Sequence, residues 1–478
     1  MKLSELLEGV PVVSAYNDVQ VLDITDDTRK VQAGSVFVCI KGAHFDGHDA
    51  ARDMIERGAV AVICTHSVGL EQEVVVENTR SAYAVMCANF FGNPAKKLKL
   101  IGLTGTNGKT SSTYFIKSLF ELFEIKMGLI GTMQNMIGDE VFEAQYTTPT
   151  AYEMQALFAK MVEAGCRYCV MEVSSQALAQ GRVDGLHFST AIFTNLTQDH
   201  LDYHGTMENY AAAKKRLFRH CDTAIINLDD PYAAYMMEGL ECKVVTYSAK
   251  NNDADYVAKN ITLSARGITY ELLGDAVIAR LKCPVPGSFT VYNTLCAAAT
   301  ALSEGLDFRK IVSAFSSVKG VKGRIEVVPT DTEYTVIIDY AHSPDGIKNI
   351  LSSVKEFAEG RVMIVFGCGG DRDAGKRPKM AAAAASLADY VVLTSDNPRT
   401  EDPEKIVADA AVGLQGYDVP HTIIVNRTEA IRFAMSEAKA GDIIVLAGKG
   451  HETYQIIGRE KRHYDEREIV KGILAGEI

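Results

Sequence analysis

LIGLTGTNGKTSSTYF, residues 100–115, decides how the rest of this chain is read. An apolar run ends at Thr104, a glycine-containing turn follows, and a helical pattern begins at Lys109. Strand, turn and helix in that order make a phosphate cradle, because backbone N–H groups at a helix N-terminus face the anion. Gly105, Thr106, Asn107, Gly108 and Ser111 would line the loop, Lys109 would reach the β- and γ-phosphates, and the Thr110 hydroxyl would ligate Mg2+. The spacing departs from the usual GxxxxGK[ST]: Leu103 stands five before Gly108, and the glycine sits at 105. A glycine turn with a surface lysine is the plain alternative, and the placement of strand and helix argues against it.

The pattern recurs on both sides. RYCVMEV, STAIFTNL and DTAIINL are apolar strand-like runs separated by helical stretches, the mark of a parallel, doubly wound sheet. Residues 244–290, with KVVTYS and GITYELL, read as a small antiparallel annex, and SFTVYNTLCAAATALSEGL returns to helix. From TVIIDYAHSP onward the βα pattern resumes through RVMIVFGCGG, ADYVVLTSDNP, HTIIVN and DIIVLAGKG. Before residue 98, short strands alternate with one clear helix, DGHDAARDMIERG, which opens near an Asp cap and ends at Gly58. Boundaries near FGNPAKKLKL and VKGVKGRIE divide the chain into 1–98, 99–323 and 324–478. The fold class is α/β in three domains, with a central phosphate-loop sheet and its annex flanked by a smaller N-terminal and a C-terminal Rossmann-like α/β domain.

A chain of 478 residues is too long for one ordinary core. The net charge of −12 disfavours non-specific nucleic-acid binding. No run approaches the roughly 18 apolar residues of a membrane span, and the N-terminus lacks a signal-peptide pattern. Ten cysteines are too sparse for a disulfide scaffold, and Cys166 and Cys169 form a lone CxxC that reads as buried strand. A cytoplasmic monomer is expected.

Further polar residues cluster after the strands. Glu172 ends the RYCVMEV strand and suits a hard cation, although a solvated edge carboxylate is as good a reading. NLTQDHLDYHG packs Asp199, His200, Asp202 and His204 into six positions, and could equally be a polar loop. YAAAKKRLF reads as an exposed basic helix on which Tyr210 and Lys214 share a face. DNPR, residues 396–399, is a natural turn ahead of the helix DPEKIVADAAVGL. FGCGGDRD lacks the GxGxxG spacing of a dinucleotide site.

TGTNGKT, EVSS, DHLD, YAAAK, DYAHSP, DNPR and GKGHE, in that order, resemble the ATP-dependent Mur ligases of peptidoglycan synthesis and their folylpolyglutamate synthetase relatives. The resemblance covers essentially the whole chain. It implies transfer of phosphate from ATP to a carboxylate, then displacement of phosphate from the acyl phosphate by an amine. It implies catalytic Lys109, Glu172, His200 and Lys214, with Lys214 carbamylated by CO2 and Thr110, Glu172, His200 and Lys214 serving Mg2+. It implies that Asn293, Arg324 and Asp339 hold the adenine, γ-phosphate and ribose of ATP. The stretch DITDDTRKVQAGSVFVCIKGAHFDGH resembles the UDP-binding domain of ligases adding the third residue or the terminal dipeptide. Thr28, Thr147, Thr148, Ser174, Gln180 and Arg182 then match contacts to the UDP-muramoyl peptide. Gln176 stands where that pattern commonly has His.

DNPR resembles the third-residue ligases that add meso-2,6-diaminopimelate to UDP-N-acetylmuramoyl-L-alanyl-D-glutamate. The resemblance gives Arg372, Asp396, Asn397, Pro398, Arg399, Gly448 and Glu452 to the incoming amino acid. Diaminopimelate carries a distal carboxylate that lysine lacks, and an arginine grips a carboxylate bidentately. The same ligase accepting L-lysine, a folylpolyglutamate synthetase-like ligase and a non-enzymatic nucleotide-dependent regulator are the competing readings.

Overall fold

The computed structural model describes every residue except 43, 275 and 276. The chain divides into two compact units, one of residues 1–256 and 296–306, the other of 257–295 and 307–478.

The first unit begins with a parallel sheet of four short strands, Asp23–Thr25, Ser35–Val38, Ala61–Cys64 and Glu73–Val75. The expected helix splits into a 3-10 turn, Gly47–Ala50, capped by Asp46, and the helix Ala51–Glu56. One clear helix was too few. Thr79–Phe90 is a second and longer one, started by Asn78, whose side chain accepts the N–H groups of Arg80 and Ser81. Its mixed polar and apolar residues hide the period, yet Ala82, Tyr83, Met86 and Cys87 are buried.

The larger sheet of this unit runs, in spatial order, Lys243–Ser248, Cys221–Asn227, Phe188–Phe193, Lys99–Thr104, Tyr168–Glu172 and Met127–Ile130, all parallel. Cys169 is a fully buried strand residue of this sheet, and Cys166 is buried beside it. The strand that feeds the phosphate loop lies between Phe188–Phe193 and Tyr168–Glu172, where the chain turns outward both ways. Open parallel sheets bind ligands at such a switch point, beyond the carboxyl ends of the strands. KVVTYS is a correction: it is a parallel strand of this sheet, paired Thr223 to Lys243 through Asn227 to Tyr247, and not part of the annex. The short helix Ala233–Met237 supplies its crossover, and Val245, Tyr247 and Ser248 are buried. An antiparallel extension, Gln134–Ile137 and Glu140–Glu143, follows Met127–Ile130.

The second unit contains the antiparallel annex, Tyr256–Ser264, Gly267–Gly274 and Val277–Cys283. It also contains a six-stranded sheet ordered Glu326–Val328, Thr335–Asp339, Ile443–Ala447, Val362–Cys368, Tyr390–Ser395 and His421–Ile423. Only the first of these strands is antiparallel to its neighbour. The apolar runs of the four inner strands are buried almost throughout, as burial on both faces requires. The alanine-rich stretch is the helix Lys376–Leu387, whose Ala381, Ala383 and Ala384 are buried against the sheet core. Among the described residues no helix is long and apolar enough to cross a membrane.

Candidate active site

The phosphate loop enters the helix Lys109–Leu122 through two glycines with positive φ, Gly105 at 150° and Gly108 at 84°. Gly105 has no room for a side chain, since a Cβ there would lie 1.9 Å from the Thr194 hydroxyl. Thr194 and Asn195, at the end of Phe188–Phe193, brace the loop. Thr194 Oγ1 and Asn195 Nδ2 donate to the Asn107 carbonyl at 2.8 and 3.0 Å, and Asn107 N donates to Asn195 Oδ1 at 2.9 Å. Lys109 folds back onto its own loop, donating to the carbonyls of Gly105 and Thr106 at 2.9 and 3.0 Å. Ser111 sits in the first turn of the helix, next to Thr110.

Glu172 is buried at the carboxyl end of its strand and is not a solvated edge carboxylate. It accepts the Thr110 hydroxyl at 2.9 Å, the Thr132 N–H at 3.0 Å and the Thr132 hydroxyl at 2.9 Å. Gly131 leaves space for it, as a Cβ there would meet Glu172 Oε1 at 2.6 Å.

Lys214 is the unusual group. It is 1% exposed, on the helix Met207–Lys215 that reads as a basic surface. Its Nζ lies 4.5 Å from the centre of the Tyr210 ring and donates 2.8 Å to the Gly105 carbonyl, the atom Lys109 also uses. Burial, with Lys109 adding repulsion and Asp199 opposing it, holds the Lys214 amine well below the ordinary lysine range. Burial lowers Lys109 as well, against the pull of Glu172 and Asp199.

His200 has φ 52° and stands at the start of the turn Leu201–His204, its ring edge-on to Tyr210 at 6.1 Å. Gln176 reaches its Nδ1 at 3.4 Å, so the unusual glutamine faces the histidine. Asp199 accepts the His200 N–H at 2.8 Å. His204 is buried and bonded to the Ser175 hydroxyl at 2.9 Å, which gives it a structural place.

The residues matched to the muramoyl peptide gather alongside. Thr148 Oγ1 donates to the Glu172 carbonyl at 2.9 Å and accepts the Ser174 N–H at 3.0 Å, and the Thr147 and Thr132 hydroxyls meet at 3.0 Å. Arg182 donates to the Thr148 carbonyl at 2.9 Å and twice to Gln180 Oε1, at 2.9 and 2.7 Å. Thr28, on the 3-10 turn Thr28–Lys30, shares no hydrogen bond with this group among the described residues.

Among the described residues, no three His, Cys, Asp or Glu side chains form a ready metal cage. Thr110 and Glu172 nevertheless offer adjacent hard oxygens. Mg2+ keeps waters and substrate phosphates in its shell and needs few protein ligands, so the donor set fits.

In the second unit Asp339 ends the strand Thr335–Asp339 and accepts the N–H groups of Ile325 and Ala341, each at 2.9 Å. Burial raises its carboxyl above the usual range. Arg324 lies over the Tyr340 ring at 5.4 Å, and His342 and His451 pack on the same ring. Asn293 is buried on the helix Ser288–Ser303.

A cavity of about 470 Å³ opens beyond the strand ends of this unit. Arg372, Asp396, Asn397, Arg399, Gly448 and Glu452 all line it. Pro398 does not; its carbonyl sits where a Cβ on Gly370 would come within 1.9 Å, so it shapes the turn. Arg399 takes φ 51°, and its Nη1 donates to the Gly370 carbonyl at 2.7 Å, joining the two loops that form the cavity wall. Two buried cations that the sequence did not single out belong here. Arg377 lines the cavity and bonds Glu401 and Asp409, and Lys449 lies behind the wall. Lys449 sits in the quoted GKGHE motif and Arg377 four residues after FGCGGDRD, but neither's burial can be read from the local sequence.

Three family models cover most of this architecture: Mur ligase family, catalytic domain, at residues 23–88; Mur ligase middle domain, at 103–301; and Mur ligase, glutamate ligase domain, at 323–450. A UDP-N-acetylmuramoyl-L-alanyl-D-glutamate–2,6-diaminopimelate ligase of Caldanaerobacter subterraneus subsp. tengcongensis is 46% identical, with 99% of each chain covered. The chain belongs to the Mur ligase family. A ligase of the same description from Bacillus licheniformis is 44% identical over 98% of this chain and 99% of its own. A solved structure described as that ligase covers 100% of this Mur ligase and 99% of its own chain, at 34% identity and a TM-score of 0.78. MurF from Acinetobacter baumannii, at 17% identity and a TM-score of 0.60, shares the fold.

Proposed function

We propose that this Mur ligase joins meso-2,6-diaminopimelate to UDP-N-acetylmuramoyl-L-alanyl-D-glutamate, with hydrolysis of ATP to ADP and phosphate, in peptidoglycan precursor synthesis. Its site would be cytoplasmic and its working form a monomer. Residues 1–98 would take the UDP portion, 99–323 the phosphates of ATP, and 324–478 the amino acid. The observation that carries this reading is the cavity in which Arg372, Asn397 and Arg399 stand beside Asp396 and Glu452. Cationic and anionic groups on one wall suit a zwitterionic amino-acid head, and two arginines suit a carboxylate.

The phosphate-loop amides and Lys109 hold the β- and γ-phosphates, and phosphoryl transfer needs this positioning and charge stabilisation more than covalent help. Thr110 and Glu172 would hold Mg2+, which supplies charge neutralisation when bound. Thr147, Thr148, Ser174, Gln180 and Arg182 orient the muramoyl peptide so that its D-glutamate carboxylate meets the γ-phosphate, with Thr28 contacting the uridine diphosphate. Asn293, Arg324 and Asp339 are assigned the adenine, the γ-phosphate and the ribose of ATP respectively. The amine of diaminopimelate then attacks the acyl phosphate, phosphate leaves, and the amine loses its proton.

Lys214 is proposed to work as a carbamate. An ammonium cannot face a cation, whereas its CO2 adduct is an anion with two oxygens. The neutral amine attacks CO2, an N–C bond forms and one amine proton is released to solvent, and burial beside Lys109 favours the neutral form. His200 completes the set.

Phosphate release from ATP with the UDP-muramoyl dipeptide tests the reading. Turnover is expected with meso-diaminopimelate and not with L-lysine. Turnover with lysine alone would overturn the assignment of Arg399, and none with either would overturn the reaction.

A further inference from the structure

Lys449 is completely buried and does not line the amino-acid cavity, yet it touches three residues that do. Its Nζ donates to Asn397 Oδ1 at 3.1 Å and to Glu452 Oε2 at 3.3 Å, and lies 3.8 Å from Asp396 Oδ1. The rings of Tyr454 and Tyr464 stand 5.9 and 5.8 Å from it.

The consequence falls on Asn397. Its Oδ1 accepts a second donor, the Ile456 N–H at 2.9 Å, while its Nδ2 donates to Glu452 Oε2 at 3.0 Å. Turned the other way, the amide would set its NH2 against two donors and its carbonyl against a carboxylate. The network therefore permits one orientation. With Oδ1 occupied twice, Asn397 offers a ligand an N–H donor. Donors pair with carboxylates and repel ammonium groups. Both bonds to Glu452 end on Oε2, so that carboxylate is held as well.

We propose, resting on the diaminopimelate reading above, that Lys449 is a positioning residue for specificity. It locks the Asn397 amide with its donor toward the amino acid and so selects a substrate carrying a distal carboxylate over one ending in an ammonium group. It acts through Asn397 and Glu452 and does not touch the substrate.

A double-mutant cycle tests this, with Lys449→Met, Asn397→Ala and the pair assayed by phosphate release using diaminopimelate or lysine. Lys449→Met should raise KM for diaminopimelate about tenfold or more while KM for ATP holds, and should narrow the preference over lysine by a similar factor. The pair should discriminate no worse than Asn397→Ala alone. Lys449→Gln, which keeps a neutral donor for Oδ1, should retain much of the preference, and it enters the cycle if the methionine variant does not fold. Full discrimination in Lys449→Met, additive losses in the pair, or loss of preference in Lys449→Gln would each overturn the role of Lys449. Failure of the wild type to use diaminopimelate would instead overturn the reading beneath it.

Discussion

Lys214 shows how far a side chain's chemistry depends on its surroundings. A lysine with water around it keeps its proton; this one has a single carbonyl, an aromatic face and a second lysine. Lys214→Ala is expected to lose activity by about 100-fold or more, the scale of losing one preorganised electrostatic group. Small carboxylates such as formate should restore part of it; no restoration, or near-normal turnover, would count against the carbamate. Intact-mass measurement with and without bicarbonate gives a readout independent of turnover. The pH dependence has a definite sign. Lys214 holds its proton less tightly folded than unfolded, so its contribution to stability improves as pH rises from its depressed folded value toward the ordinary 10.5. The neutral amine also disappears below the folded value, so bicarbonate-dependent activation should weaken on the acid side.

At the scale of the element, the phosphate loop is a joint product of two strand ends. Its backbone is set by Gly105 and Gly108, but the Asn107 carbonyl is fastened by Thr194 and Asn195, far away in sequence. Gly105→Ala would force a Cβ into the Thr194 hydroxyl at a φ that L residues avoid. A displacement of that size in a reacting array costs about 100-fold in turnover, and KM for ATP should rise with it. A Gly105→Ala enzyme with wild-type kinetics would mean that the loop is not the nucleotide's seat. The loop itself was legible because strand, glycines and helix are local signals. Its bracing was not, since Asn195 is fixed by a contact between neighbouring strands. KVVTYS was misassigned for a related reason: alternation marks a strand, and only the pairing partner says whether it runs parallel.

At the scale of the whole molecule, buried ion pairs report on the second unit's integrity. Arg427 is buried with Glu466 at 2.8 Å and also donates to the Ala447 carbonyl at 2.8 Å, tying a strand end to the helix Glu466–Ala475. Removing one partner of such a pair strands the other charge and costs about 3–5 kcal/mol. Arg427→Met should therefore lower the thermal midpoint measured by calorimetry. An unchanged midpoint would show that the pair contributes nothing net.

The sequence alone determined the α/β class, the order of most strands and helices, and the chemical types at the site. Those follow from local periodicity, turn residues and short motifs, all written within a few neighbouring positions. Tertiary structure decided which of those residues meet. Glu172 is a buried, thrice-bonded carboxylate, Lys214 leaves the surface its helix suggests, and Lys449 stands behind a wall made by Asp396, Asn397 and Glu452. The physical reason is that burial and hydrogen-bond partners come from segments distant in the chain. A lone residue's charge state, and the way an amide faces, are properties of that assembled environment.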